Sequence, residues 1–159
     1  MFIATGESTT IHSPWIGEIQ LDPQCELKFP VGMPGFEDHR RMMPVEIPSQ
    51  RPLVYLQSLE SPEVCFVALP VYVIDPAFQL RLSEEERSLL QLPANFEPAI
   101  GVDVLCLALL MPSGHTVEAN LNAPVVINLH TQTGVQSIPA DGIPASFQLS
   151  ADNGWVALC

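Results

Sequence analysis

The sequence predicts a mainly β protein: a compact, single-domain, antiparallel barrel or sandwich carrying one short helix. Three observations carry this reading. Short runs of β-branched and aromatic residues recur along the chain, about eight or nine of them, separated by turns rich in Pro and Gly. Only one stretch has the chemistry of a helix start. With 159 residues, 47% of them hydrophobic, the chain holds enough apolar material for one core. The domain is placed at residues 14–140, between a loose tail at 1–13 and a flexible C-terminal tail at 141–159.

The chain is organised around NLNAPVVIN, residues 120–128, inside a longer run at 116–129. Val125, Val126 and Ile127 are β-branched and suit a pleated, half-buried backbone. Pro124 has no N–H for a ladder, so it belongs at a strand entrance or an edge. Asn120, Asn122 and Asn128 surround this strand with amides. The preferred reading has them satisfying backbone groups at the strand ends. The functional alternative is a polar lip beside an open edge where another chain docks.

Taken in order, residues 15–21 (WIGEIQL) alternate as a first strand, with Trp15, Gly17, Ile19 and Leu21 on one side. A short strand at 25–29 follows the Asp22-Pro23 turn. In FPVGMPGFED, residues 29–38, Pro30, Gly32, Pro34 and Gly35 forbid a helix and interrupt a strand. The result is a shaped loop, pinned by burial of Phe29, Met33 and Phe36. Glu37 and Asp38 leave that loop beside His39, Arg40 and Arg41, which reads as a locally neutralised surface turn. A weak strand follows at 41–47. Strands at 53–59 and 64–69, joined by Ser61-Pro62-Glu63, form a hairpin, and extended chain continues at 71–74.

The helix is expected at about residues 83–92. Ser83 is its N-cap, Glu86 completes a capping box, and Glu84 and Glu85 place negative charge in the first turn. Pro93 is read as its stop. Residues 100–111 (IGVDVLCLALLM) form a central strand buried on both faces, with Asp103 paired or near its start. The turn Pro112-Ser113-Gly114 sends the chain into the 116–120 strand, and a last strand is expected at 135–138.

Six Lys and Arg against 18 Asp and Glu give a net charge of −12. Such a field repels phosphate backbones and anionic lipid and attracts a basic protein. Direct nucleic-acid binding is therefore disfavoured, and solubility alone is the simpler use of the charge. No apolar run reaches the roughly 18 residues of a membrane helix, and the first ten residues lack secretory-signal character. The reading is a cytoplasmic protein. Cys25, Cys65, Cys106 and Cys159 are far apart, and His12, His39, His115 and His130 give them no ligand pairs, so neither a metal nor another cofactor is expected. No nucleophile elbow, phosphate loop or dinucleotide fingerprint is present, which points away from an enzyme.

The order of FPVGMPGFED (29–38), LVYLQSLESPEVCFVAL (53–69), IDP (74–76), the capped helix and NLNAPVVIN (120–128) resembles the flagellar assembly factor FliW family. The resemblance spans roughly residues 16–138 and rests on two motifs, FPxGxPGFE and NLxAPxxIN, in that order. It implies a barrel-like cytoplasmic protein without catalytic activity, monomeric when free. Its implied partners are flagellin and the basic RNA-binding repressor CsrA. Holding CsrA relieves repression of flagellin mRNA, and accumulating flagellin occupies the factor and frees CsrA. Under that implication, Glu18, Glu37, Asp38, Asp75, Glu84 and Glu85 contribute an acidic partner-binding surface, and Asn120, Asn122 and Asn128 mark a binding edge. The alternatives are a flagellin export chaperone indifferent to CsrA and a small β-barrel hydrolase using an acidic pair. The tail ASFQLSADNGWVALC departs from the family pattern, which places a Tyr and an Arg after the last strand. The stretch 69–74 is also richer in Pro and aromatics than the family pattern.

Overall fold

In the computed structural model the described residues are 10–138, together with the backbone of 146–149. A hairpin opens the fold, β1 (Thr10–Ser13) and β2 (Gly17–Gln20). Next come β3 (Leu27–Lys28), β4 (Arg41–Val45), β5 (Val54–Ser58) and β6 (Cys65–Pro70). Two short helices follow, α1 (Val71–Ile74) and α2 (Glu84–Leu89). The chain then enters β7 (Val104–Ser113), β8 (Thr116–Asn128), β9 (Thr133–Gln136) and β10 (Ser146–Leu149).

Seven strands close a barrel in the order β8, β7, β6, β5, β4, β3, β9 and back to β8. Neighbours are antiparallel except β3 and β9, which meet in parallel at Lys28 and Thr133. Closure leaves no open edge within the ring. The mainly β, barrel-like class expected from the sequence is the class observed.

Strand β8 is the organising element, and its length explains why. Its first half, Val117–Asn120, lies between β7 and β10, whereas Val125–Asn128 lies between β7 and β9. The change occurs at a large bulge. Leu107 pairs with Val125 but Leu109 pairs with Asn120, so residues 121–124 face the single residue Ala108. A bulge is where a sheet tolerates proline, and Pro124 sits in this one, its carbonyl accepting from the Ser137 N–H at 2.8 Å.

Alternation along the strands sends apolar side chains to both faces. One cluster, with Leu27, Met42, Leu56, Ala68, Leu107 and Val125, fills the ring and is closed by Phe29 and Met33. The opposite face carries Tyr55, Leu69, Cys106 and Val126, and there Val71, Leu90 and Leu92 from the 71–103 connection cover it. Where that connection does not reach, the face shows Lys28 and Arg41 to solvent. Burying one Leu or Val side chain contributes about 1.5–3 kcal/mol, so the connection is part of the core.

Several local expectations are corrected. Thr10–Ser13, placed in the N-terminal tail, pairs with β2. Trp15 is in the turn before β2 and 68% exposed, its indole N–H donating to the Glu63 carbonyl at 2.8 Å. The strand expected at 25–29 is only Leu27–Lys28, because Asp22 caps a tight turn over Pro23–Cys25 by accepting the Gln24 N–H. Residues 71–74 form one helical turn instead of extended chain. Val104, not residue 100, starts β7: Asp103 Oδ2 accepts the Ala99 N–H at 2.9 Å and closes a turn. Leu109 and Leu110 are only partly buried and Met111 is exposed, so only the inner half of β7 matches the doubly buried strand expected. Of the C-terminal tail, Ser146–Leu149 forms β10, and the remainder lies outside the described residues.

Helix α2 begins as expected and ends earlier. Ser83 Oγ accepts the Glu86 N–H at 3.1 Å while Glu86 Oε1 accepts the Ser83 N–H at 2.9 Å, a complete capping box. Its end is set by Gln91 at φ +58, not by Pro93. The Gln91 N–H reaches the Ser88 carbonyl and the Leu92 N–H the Arg87 carbonyl, both at 3.0 Å. These are the paired bonds of a left-handed helix stop.

Candidate functional site

Three regions carry the residues singled out from sequence: the Pro-Gly loop, the Asn-flanked strand and the acidic positions. The loop is fixed from inside. Phe29 and Met33 are fully buried, and the Gly32 N–H donates to the Phe29 carbonyl at 3.0 Å. Gly32 has φ +67, and a Cβ there would lie 2.6 Å from Glu37 Cα and from the Phe36 carbonyl oxygen. Glycine is the residue that meets both demands. Gly35 also has positive φ but open space around it. Pro30 and Pro34 are exposed at the turns of the loop. Phe36, expected inside, is 38% exposed and stands edge-on to Phe66 and His39.

Glu37 and Asp38 are exposed, and Glu37 Oε1 accepts the Gly35 N–H at 3.2 Å. Of the neighbouring basic residues, Arg40 stays at this turn, its Nε donating to the Glu37 carbonyl at 3.4 Å, while Arg41 leaves it. Arg41 pairs with Glu26 on the other side of β3, and the Arg40 and Arg41 N–H groups both donate to Glu60 Oε1. The salt bridge lowers the Glu26 carboxyl from its ordinary range, chiefly through the Arg41 hydrogen bond. His39 Nδ1 lies 2.7 Å from Ser58 Oγ, which also accepts the Glu60 and Ser61 N–H groups. The hydroxyl proton is therefore left for His39, and the contact latches the loop to the β5–β6 turn.

On β8 the asparagines do different things. Asn120 Oδ1 accepts the Asn122 and Ala123 N–H groups at 3.0 and 3.1 Å, which holds the bulge open. Asn122 is half-buried within the bulge. Asn128 is 3% exposed; its Nδ2 donates to the Leu90 carbonyl at 2.7 Å and its Oδ1 accepts the His130 N–H at 2.9 Å. That burial takes Asn128 off the surface and makes it the tie between the barrel and the end of α2. The backbone-satisfying reading fits Asn120 and Asn128.

The acidic positions occupy three separate segments, one strand and two connections. Glu18 is exposed on β2 opposite His12. Glu37 and Asp38 sit between β3 and β4. Asp75, Glu84 and Glu85 all belong to the β6–β7 connection, with Glu84 and Glu85 exposed on the first turn of α2 and Asp75 Oδ1 accepting the Ala77 N–H. Glu86 has a second use that sequence reasoning missed. Beyond the capping box, its carboxylate accepts Ser137 Oγ–H at 3.1 Å and the Ile138 N–H at 2.9 Å, clamping α2 to the end of β9. No pattern local to residues 83–86 signals a bond 51 residues away.

The same connection borders a half-open pocket of about 450 Å³, lined by Tyr72, Phe78, Leu80, Leu82, Ile100, Arg87 and their neighbours. Its one carboxylate, Glu97, is engaged by Arg87 Nη2 at 3.3 Å. The acidic pair of the hydrolase alternative is not found there. Among the described residues no group of three or more His, Cys, Asp or Glu is placed to hold a metal. Burial pushes the thiols of Cys65 and Cys106 up to about 11 and about 12, away from the reactive thiolate. Cys25 is exposed, with its Sγ 3.6 Å from Asp22, and Cys159 lies outside the described residues.

Asp103 ties three segments together: it accepts Ala99 N–H, lies 3.1 Å from His130 Nε2, and its carbonyl accepts Leu129 N–H. The Ala99 bond first, then His130, holds its carboxyl below the ordinary value. A lowered folded-state value stabilises the fold above about pH 4, and this contribution fades as pH falls through the folded value. Asp103→Asn is therefore expected to lower the urea midpoint near neutrality, with the gap to wild type closing below about pH 4. A gap that stays constant through that range contradicts the assignment.

With the geometry in hand, comparison with known proteins is decisive about family. The family model described as FliW protein matches residues 10–148. The chain belongs to the FliW family. A flagellar assembly factor FliW from Oceanobacillus iheyensis is 30% identical over 128 residues, covering 80% of this chain and 84% of that protein. The Thermosipho africanus factor is 30% identical over 125 residues, covering 77% and 83%. A crystal structure of the flagellar assembly factor FliW superposes with a TM-score of 0.72 at 24% identity, covering 86% of this chain and 93% of that one, so the barrel is a FliW fold. The two motifs thus map onto the shaped loop and the bulged strand that organise FliW architecture here.

Proposed function

We propose that this FliW-family chain is a cytoplasmic, non-enzymatic regulator of flagellum assembly that works as a partner switch. It binds the repressor CsrA, relieving repression of flagellin mRNA, and accumulating flagellin occupies it and releases CsrA. The observation that carries the reading is the family match over residues 10–148, whose relatives are named flagellar assembly factors. The net charge of −12 supports it, because an acidic domain steers a basic partner into contact and repels RNA. Exposed Glu18, Glu37, Asp38, Glu84 and Glu85 and partly buried Asp75 supply the field on this reading. Asn120 and Asn122 shape the bulge near the edge, while buried Asn128 acts only from within.

The test is competition. With CsrA immobilised and the chain captured, added flagellin should elute the chain in proportion to its concentration. Capture of flagellin with no binding to CsrA supports the export-chaperone alternative instead. Stable retention on CsrA at saturating flagellin contradicts the switch.

A further inference from the structure

We infer that His39 is a proton-operated latch, which holds the outer part of the Pro-Gly loop against the barrel when neutral and frees it when protonated. The geometry at Ser58 carries the inference. Ser58 is fully buried, and its Oγ accepts the Glu60 N–H at 3.1 Å and the Ser61 N–H at 3.3 Å. A hydroxyl oxygen has two lone pairs, and both are taken. What remains is the O–H, and His39 Nδ1 lies 2.7 Å away. The ring therefore accepts through Nδ1 and carries its proton on Nε2.

Protonation removes that acceptor. An imidazolium has an N–H on both ring nitrogens, so Nδ1–H would face a hydroxyl with no lone pair left. Among the described residues Ser58 is the ring's one hydrogen-bond partner. The charged groups beside the ring are Glu37, Asp38 and Arg40 of its own loop and Glu60 and Glu63 of the β5–β6 turn. Glu60 comes nearest in chain terms, its Oε1 accepting the Arg40 N–H at 3.2 Å. Arg41 is turned to Glu26, and β6 presents Phe66 here, with Cys65 in the cluster on the opposite face. Carboxylates outnumber the one guanidinium, so a charged His39 is drawn outward, away from Ser58.

Only the outer part of the loop is released. Phe29 and Met33 stay buried in the inner cluster, and Gly32 is packed against the backbone of Phe36 and Glu37. Gly35, by contrast, has φ +86 and open space around it, so the chain is free to turn there. The Phe36 ring stands 5.8 Å from the His39 ring and 5.0 Å from that of Phe66. Letting His39 go therefore also loosens Phe36 from β6. Imidazole exchanges its proton between about pH 5 and 8. The released loop is the form that binds the extra proton, so release grows as pH falls.

The experiment is NMR of the full, uniformly ¹³C,¹⁵N-labelled chain at about pH 8 and about pH 5. At the higher value the expected result is the Nε2–H tautomer of His39, with ring-to-ring cross-peaks between Phe36 and Phe66. At the lower value His39 is protonated and those cross-peaks are lost. Cross-peaks between Val54 and Ala68, paired across β5 and β6, persist and report that the barrel stays folded. His39→Asn places an amide oxygen near the position of Nδ1 and does not titrate, so its Phe36–Phe66 cross-peaks should survive at both values. A neutral Nδ1–H tautomer, an imidazole still neutral at the lower pH, or Phe36–Phe66 cross-peaks intact beside a protonated His39 overturns the latch. So does a folded His39→Asn variant that loses them at low pH as the wild type does. No partner is needed, so the outcome is independent of the switch.

Discussion

Gly32→Ala is expected to destabilise the protein by about 3 kcal/mol or more and to lower the melting temperature by roughly 6–12 °C. Two costs combine. The residue sits at φ +67, a conformation costing an L side chain about 1–2 kcal/mol. A Cβ there also meets Glu37 Cα and the Phe36 carbonyl oxygen at 2.6 Å, and both are backbone atoms that cannot swing away. Gly35→Ala is the control, with φ +86 but nothing within 4 Å, so only the conformational cost remains. In thermal melts the loss at Gly32 should be about twice the loss at Gly35 or more. Equal losses would show that backbone conformation alone explains both glycines.

Asn128→Ala is expected to cost about 2–3 kcal/mol, the penalty of unpairing buried backbone groups. The Leu90 carbonyl loses its 2.7 Å donor and the His130 N–H loses its acceptor. Leu90 and Leu92 are core residues, so loosening the end of α2 exposes part of the outer cluster. Hydrogen exchange should therefore accelerate in α2 before the barrel strands. Asn122→Ala, a half-buried bulge position, should change stability by less than about 1 kcal/mol. Similar losses at both positions would contradict the division of labour described for the two asparagines.

Much of the barrel was legible because strands write their faces into a two-residue period. The 53–59 and 64–69 hairpin, the β7–β8 hairpin and the capping box of α2 all followed from local patterns. Errors fell where tertiary contact overrides local preference. Residues 71–74 (VYVI) have strand propensity yet form a helical turn, because Val71 is buried beneath the outer face. Phe36 was expected in the core, but Phe29 and Met33 already close it. Pro124, read as a strand-entrance or edge residue, lies instead in the bulge at 121–124 inside β8, because that bulge depends on the β7 register, which no local pattern carries. Of the site, the acidic residues could be counted but not grouped. Their spread over β2, the β3–β4 loop and the β6–β7 connection, and the second role of Glu86, depend on packing between distant segments.

The measurement that bears most directly on the account is a calorimetric titration of the chain with purified CsrA at low and at high salt. Binding at low salt that weakens as salt rises, and that falls further on charge reversal at Glu84 and Glu85, is the predicted result. A chain that ignores CsrA at low salt while still capturing flagellin contradicts the partner switch.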